Sequence, residues 1–412
     1  MTSQKTARPK RERQRIVVVG AGAFGGWTAL WLRRRGYRVT LVDAWGPGNS
    51  RASSGGETRV IRGMYGPDQI YTNWIVQAFE IWLREARRWD LDLYHPTGIL
   101  WMFRGDDGYA KTSLPFLQEA GLPVETLTPA EGARRWPQVS FEGIRSVYFE
   151  EQAGYLQARI ACRAVAEALV REGGEFVQGE ARLGSQTGSH LEAAELEDIE
   201  LADGRRLTGD RFVFACGPWL GKIFPEIVGS SIRPTRQEVF FFGTPASPSP
   251  WQEGQFPSWI DFGERVFYGI PGNRHRGFKI ADDTHGETVD PSTFDRIPSH
   301  ESLQGARNQL ATRFPGLAKA PLLEARVCQY GNTPDGHYLI DRHPQLENLW
   351  LVGGGSGQGF KLGPAVGEHV ADLITGDRQP LDRFSLARLE NFESGAEASQ
   401  LASGKKEKPP PS

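Results

Sequence analysis

Five residues able to form a strand, Arg15-Ile-Val-Val-Val19, run straight into Gly20-Ala-Gly-Ala-Phe-Gly25 and then into a helix-favouring stretch that reaches Arg35. The glycine spacing reads as the strand, turn and helix of a dinucleotide site. Gly20 permits the tight turn, Gly22 lets a pyrophosphate approach the backbone, and Gly25 lets the helix lie against the strand. Free N–H groups at the helix start then face the phosphates. A second apolar run, Arg38-Val-Thr-Leu-Val42, ends at Asp43, an acid about twenty residues past the first glycine, where a ribose hydroxyl is held. The uncharged stretch 16–32 also has the outline of a membrane span or leader. It is at the short limit for a span, carries four glycines and leaves the strand ending at Asp43 without explanation.

The 412 residues suggest two domains, or one with a large insertion. With 48 basic and 50 acidic residues, the net charge of −2 offers no footprint for nucleic acid, and a small-molecule partner is expected. Cys162, Cys216 and Cys328 form neither a disulfide framework nor a zinc pattern. No metal site and no membrane attachment are expected, and a reducing cytoplasm suits the chain best. The polar, basic start (1–14) and the Ser-, Gly- and Lys-rich end (393–412) read as solvated tails.

Beyond Asp43 comes a Gly/Ser-rich connection (46–56), then a helical pattern through Arg88 that carries Trp74, Phe79 and Trp82. Tyr94 to Phe103 reads as a strand, 158–172 as an alanine-rich helix, and 191–215 as hairpin material turning at Asp203-Gly204. The run 211–217 is apolar on both faces, as a strand in a parallel sheet between helices must be. From 236 to 283 the pattern alternates and is rich in aromatics, which predicts an antiparallel sheet. Asn348-Leu-Trp-Leu-Val352 then enters the loop Gly353-Gly-Gly-Ser-Gly-Gln-Gly359, followed by a helix-like stretch to Leu373. The expected class is α/β, α+β overall: a Rossmann-like FAD-binding domain (15–93, 151–230, 327–392) with an inserted antiparallel-sheet substrate domain (94–150, 231–326). Two distant glycine loops fit FAD better than NAD, because a flavin needs a second close backbone approach.

Three segments narrow this further: Gly55-Gly-Glu-Thr-Arg-Val-Ile-Arg62, Val327-Cys-Gln-Tyr-Gly-Asn-Thr-Pro-Asp-Gly-His-Tyr-Leu-Ile-Asp341, and Gly357-Gln-Gly-Phe-Lys361. Together they resemble the monomeric sarcosine oxidase and N-methyltryptophan oxidase group, flavoprotein amine oxidases of the D-amino-acid oxidase superfamily. The resemblance implies FAD attached by a thioether at Cys328, with Tyr330 two residues on. It also implies that Arg62 and Lys361 hold a substrate carboxylate, that Arg59 lies near the flavin, that Lys279 promotes O₂ reduction, and that Tyr268 lines the pocket. Gly20, Gly22, Gly25, Asp43, Gly357, Gly359 and Lys361 are the remaining cofactor residues. A guanidinium grips a carboxylate with two hydrogen bonds, an ammonium adds a point charge, and a fixed cation stabilises the anion formed when O₂ takes electrons.

One position departs from the group's pattern. Where sarcosine-oxidising members carry histidine four residues after the lysine, this chain has Asp283, an acid suited to a cationic amine. Trp251, Trp259 and His275 are further pocket candidates, with core packing as the alternative for the tryptophans. The implied activity is oxidation of a secondary or N-methyl amino acid: hydride passes from the carbon beside nitrogen to the flavin, the imine is hydrolysed, and O₂ becomes H₂O₂. The partners are therefore an amine or amino acid and O₂, for a monomer or small homo-oligomer. The alternatives are an amine dehydrogenase of the same fold with another electron acceptor, and a non-catalytic flavin-binding module.

Overall fold

The computed structural model describes residues 14–187, 194–246 and 249–394, so the expected tails at 1–14 and 393–412 lie outside it except for residues 14, 393 and 394. The chain forms two compact units. The first takes 14–55, 159–233 and 331–394 of the described residues; the second takes 56–158 and 234–330.

The first unit is built on a six-stranded sheet in the order Leu339–Arg342, Leu349–Gly353, Arg211–Phe214, Arg15–Val19, Arg38–Asp43, Glu175–Gln178. All neighbours are parallel except the edge strand Leu339–Arg342. Val17, Val19, Phe212, Phe214, Leu349 and Leu351 are buried in one core, which is why these strands read as apolar runs. The run 16–32 is a strand and the twelve-residue helix Ala23–Arg34, and among the described residues no helix is long and apolar enough to cross a membrane. Helix Gly363–Thr375 packs against Ala23–Arg34 through glycine: a Cβ on Gly367 would sit 2.6 Å from the Trp27 side chain.

The second unit carries an eight-stranded sheet in the order Leu322–Asn332, Arg233–Phe242, Phe278–Asp282, Val266–Ile270, Ser258–Phe262, Ile99–Phe103, Ser146–Glu150, Val124–Leu127. It is mixed rather than wholly antiparallel, because Ser258–Phe262 pairs parallel with Ile99–Phe103. A three-stranded sheet joins Thr58–Ile61, Gly154–Gln157 and Tyr94–His95. Trp259, Phe278 and Phe314 stack in the core beside Trp251 and Phe256. Each such aromatic contributes about 1.5–3 kcal/mol by leaving water.

Three expectations from the sequence are corrected. Residues 56–93, expected with the nucleotide domain, fall in the second unit, because Thr58–Ile61 pairs antiparallel with Gly154–Gln157. Residues 151–158 and 327–330, the latter carrying Cys328 and Tyr330, go with them, whereas 231–233, expected in the substrate domain, fall in the first unit. The single strand expected over Tyr94–Phe103 is two, Tyr94–His95 and Ile99–Phe103. Pro96-Thr97-Gly98 interrupts them, with Gly98 at φ +70° and no room for a Cβ beside the Phe149 ring. Residues 393 and 394, expected in the C-terminal tail, belong instead to helix Ala387–Ser394.

Candidate active site

In the first unit each glycine of the opening turn has a spatial reason. Gly20 has φ +104°, and a Cβ there would lie 2.4 Å from the Ala215 carbonyl oxygen. A Cβ on Gly25 would lie 1.9 Å from the Gly20 carbonyl, so helix and strand meet only if the side chain is absent. Gly22 is different, since its nearest obstacle would be Ser54 Oγ at 3.4 Å, and the missing side chain leaves an open backbone cradle. Helix Ala23–Arg34 starts at Gly22 with no side-chain cap from that residue and no acid in its first turn, which leaves its positive end suited to an anion. Ala23 N–H donates to Ser54 Oγ at 3.1 Å.

Asp43 closes this end of the sheet. Its carboxylate accepts the Ala21 N–H at 2.8 Å and the Trp45 N–H at 2.9 Å. Burial raises its pKa, against lowering by these backbone donors. These backbone N–H donors, with Gly46 as a third, still leave lone-pair capacity on a half-buried carboxylate, as a ribose-binding acid requires. The cradle at Gly22, the uncapped helix and Asp43 together fit the pyrophosphate and ribose of a dinucleotide.

The second glycine loop belongs to the same unit. Gly354, Ser356 and Gly357 all have positive φ, and a Cβ on Gly359 would strike the Phe24 ring at 2.7 Å. Lys361 follows in the 3₁₀ turn Phe360–Leu362, buried, with Nζ donating to the Gln358 carbonyl at 3.1 Å.

The second unit gathers Arg59, Arg62, Tyr268, Lys279, Asp283, Cys328 and Tyr330. Pairing of Ile270 with Lys279 places Lys279 on the sheet face that also carries Tyr268, and the Lys279 ammonium lies 5.5 Å from the Tyr268 ring centre. Lys279 is 1 % exposed, and its Nζ donates to the Thr58 carbonyl at 2.9 Å. Burial first, then Arg59 and Arg326, push its pKa well below the ordinary lysine value, against opposing contributions from Cys328 and Glu57. Arg59 Nη1 donates to the same Thr58 carbonyl at 2.9 Å, and Nη2 points at Cys328 Sγ at 3.4 Å. Gly56 makes room for that guanidinium, since a Cβ there would sit 2.1 Å from Arg59 Nη1.

The Tyr330 hydroxyl donates to Asp283 Oδ1 at 3.1 Å. Tyr268 is pushed up to about 12 by burial and by Asp283, against Arg59 and Tyr330, so it is a neutral phenol at physiological pH. Of the other thiols, Cys162 is buried, and burial drives the Cys216 thiol up, so both behave as inert packing groups.

Arg62 occupies an aromatic seat. Its Nη1 donates to the Met64 carbonyl and to the Tyr109 hydroxyl, and its guanidinium lies 4.7 Å from the Tyr65 ring centre and 5.4 Å from that of Trp101. Among the described residues no hydrogen-bond partner holds Nε or Nη2, the two donors of a side-on fork. Burial alone would lower the Arg62 pKa, but Tyr109, Tyr65, Glu150 and Asp283 raise it, so the charge is permanent.

Trp251 and Trp259 take the core role, packed on Phe278 and Phe314, and His275 sits exposed on a turn with φ +60°. Sequence reasoning missed Thr58, Tyr65, Trp101, Tyr109 and Glu150. The only signal was an acid closing the apolar strand Ser146-Val-Tyr-Phe-Glu150, and the adjacent Glu151 made even that ambiguous.

Comparison with known proteins sharpens this picture. The chain is 28% identical over 390 residues to monomeric sarcosine oxidase of Arthrobacter sp. (strain TE1826), covering 90% of this chain and 96% of that one. It is 25% identical over 385 residues to N-methyl-L-tryptophan oxidase of Yersinia pestis (strain Pestoides F), covering 91% and 99%. In fold it is similar to L-proline dehydrogenase from P. horikoshii, with TM-score 0.78 and 22% identity over 92% of this chain and 98% of that one. A family model described as FAD dependent oxidoreductase (DAO) matches residues 15–373, a span that takes in both glycine loops and every residue of the Arg59–Cys328 cluster. The chain therefore belongs to the DAO family of FAD dependent oxidoreductases.

Proposed function

We propose that this enzyme oxidises a secondary or N-methyl amino acid at the carbon beside nitrogen and passes the electrons to O₂ with release of H₂O₂. The observation that carries the reading is Arg62: a permanently charged guanidinium, half-buried among aromatic rings and anchored through Nη1, whose Nε and Nη2 present a carboxylate-shaped fork. The names of the sarcosine and N-methyl-L-tryptophan oxidase relatives support it. FAD, when bound, supplies the two-electron acceptor for the substrate's hydride.

The protein's own residues then have defined tasks. Arg62 orients the substrate by its carboxylate, with Lys361 as the second carboxylate partner that the family resemblance implies. Asp283, beside Tyr330 and Tyr268, receives the substrate's cationic nitrogen. Lys279 supplies positive charge for O₂ reduction, and Cys328, facing Arg59, is the point of flavin attachment.

The test is an absorbance spectrum of the purified protein followed by anaerobic addition of N-methyl and cyclic amino acids, then air. Bleaching followed by stoichiometric peroxide supports the reading, whereas bleaching without peroxide assigns a dehydrogenase using another acceptor. Failure of every amino acid to bleach a bound flavin removes the amine-oxidising reading. Acid precipitation and peptide mass measurement test the Cys328 link, which free flavin in the supernatant would exclude.

A further inference from the structure

The carboxylate of Glu150 is 5 % exposed and collects three donors. Oε2 accepts the Gly63 N–H at 2.6 Å, while Oε1 accepts Trp101 Nε1 at 2.6 Å and the Met64 N–H at 3.4 Å. Two of the three come from the residues directly after Arg62. The Met64 carbonyl in turn accepts from Arg62 Nη1 and, at 3.0 Å, from the Tyr109 hydroxyl. Gly63 permits the approach, because a Cβ there would meet Glu150 Oε2 at 3.1 Å and Leu117 Cδ2 at 2.7 Å. The strand that carries Glu150 is fixed on both sides, pairing with Ile99–Phe103 and with Val124–Leu127.

From this arrangement we infer that Glu150 is a positioning residue: by holding the Gly63 and Met64 amides it fixes the carbonyl that aims the Arg62 fork at the substrate carboxylate. The inference rests on the reading of Arg62 as the carboxylate site. Glu150 makes no hydrogen bond to Arg62 among the described residues, so its influence passes through the 63–64 backbone and through its charge. These two routes predict opposite signs. If charge were its whole contribution, removing it would tighten carboxylate binding, since one of two anions competing for the same guanidinium would be gone. If it positions, carboxylate binding weakens, because a fork displaced by about 1 Å loses up to about 100-fold.

The experiment uses the holoenzyme and acetate, a carboxylate with no oxidisable carbon–nitrogen bond, titrated by the change in flavin absorbance. Glu150→Gln removes the charge and one acceptor. Glu150→Asp keeps the charge but loses the reach to three donors. Positioning predicts that both variants raise the acetate Kd by about 10- to 100-fold, and raise KM for an amino-acid substrate more than they lower kcat. It further predicts that adding Glu150→Gln to Arg62→Ala produces no additional loss, since one acts through the other.

An unchanged or lower acetate Kd in Glu150→Asp and Glu150→Gln, while Arg62→Ala abolishes binding, overturns the positioning role and leaves the Arg62 reading intact. Unaltered acetate binding in Arg62→Ala removes both. Where Glu150→Gln does not fold, Glu150→Asp carries the test alone, and a raised acetate Kd is again required.

Discussion

Replacing Lys279 with Met separates two consequences of one buried amine. The side chain is 1 % exposed, and its pKa is held well below the ordinary value of 10.5 by burial, with Arg59 and Arg326 adding to the effect. Removing the amine therefore removes a desolvation cost. The hydrogen bonds it forfeits both end on Thr58: the carbonyl, which Arg59 Nη1 continues to satisfy at 2.9 Å, and the hydroxyl oxygen, reached only at 3.5 Å. The stability of Lys279→Met should consequently stay within about 1 kcal/mol of the parent. Catalysis should respond differently in its two halves. A cation about 4 Å from developing negative charge contributes about 4 kcal/mol at an effective dielectric near 20, and single preorganised electrostatic groups contribute about 2.7–4 kcal/mol. Because Arg59 remains, the O₂ step should slow by about 100- to 1000-fold, while reduction of the enzyme by substrate changes by less than about 3-fold. In the parent enzyme the charged amine disappears as pH rises through its lowered pKa, so the O₂ step should slow with rising pH well before 10.5, and the variant should lack that dependence. Stopped-flow measurement of the two half-reactions across pH decides the matter. Equal slowing of both, or survival of the pH dependence in the variant, refutes the assignment.

Two further perturbations test the framework around the site. Asp261, 1 % exposed, accepts from Arg104 at 2.8 and 2.7 Å, Arg313 Nε at 2.9 Å and Gln309 Nε2 at 2.6 Å, and Arg313 is equally buried. Asp261→Asn leaves the Arg313 charge without its counter-ion and should cost about 3–5 kcal/mol in urea unfolding; parent-like stability would contradict this. Burial would raise the Asp261 pKa, but the two arginines lower it further, so its contribution is present above the unfolded value of 3.8 and is lost as pH falls through the lower folded value. The acid limb of thermal stability should flatten in the variant. Gly20→Ala, with φ +104° and backbone 2.4 Å away, should abolish FAD retention, whereas Gly36→Ala, with φ +91° and nothing within 4 Å, should cost only about 1–2 kcal/mol and keep its flavin. Equal flavin content in the two variants would show that crowding at Gly20 is unimportant.

What could be read from the chain alone was what local geometry determines. Gly20, Gly22 and Gly25 lie within one turn and helix start, and Asp43 closes the very next strand, so spacing and conformational need coincide. Lys279 was singled out in the sequence only through its flanking motif; its burial follows from Phe278 and Ile280 beside it in a strand covered on both faces. Residues 56–93 were misplaced because nothing within them encodes a partner near position 154, and strand register is a property of two segments rather than one. The parallel pairing of Ser258–Phe262 with Ile99–Phe103 was hidden for the same reason. Glu150 was invisible because an acid's sequence neighbours do not reveal that three donors from elsewhere will surround it.

The interleaving of the two units sets an order on biosynthesis. Strand Arg211–Phe214 needs Arg15–Val19 on one side and Leu349–Gly353 on the other, so the first sheet stays one neighbour short until nearly the whole chain has left the ribosome. The second sheet waits likewise for Leu322–Asn332. Until then strand edges that are covered in the finished enzyme are open to mispairing, and such long-range closure is slow. Neither unit corresponds to a contiguous stretch of chain, so no single cut in the sequence yields either one complete.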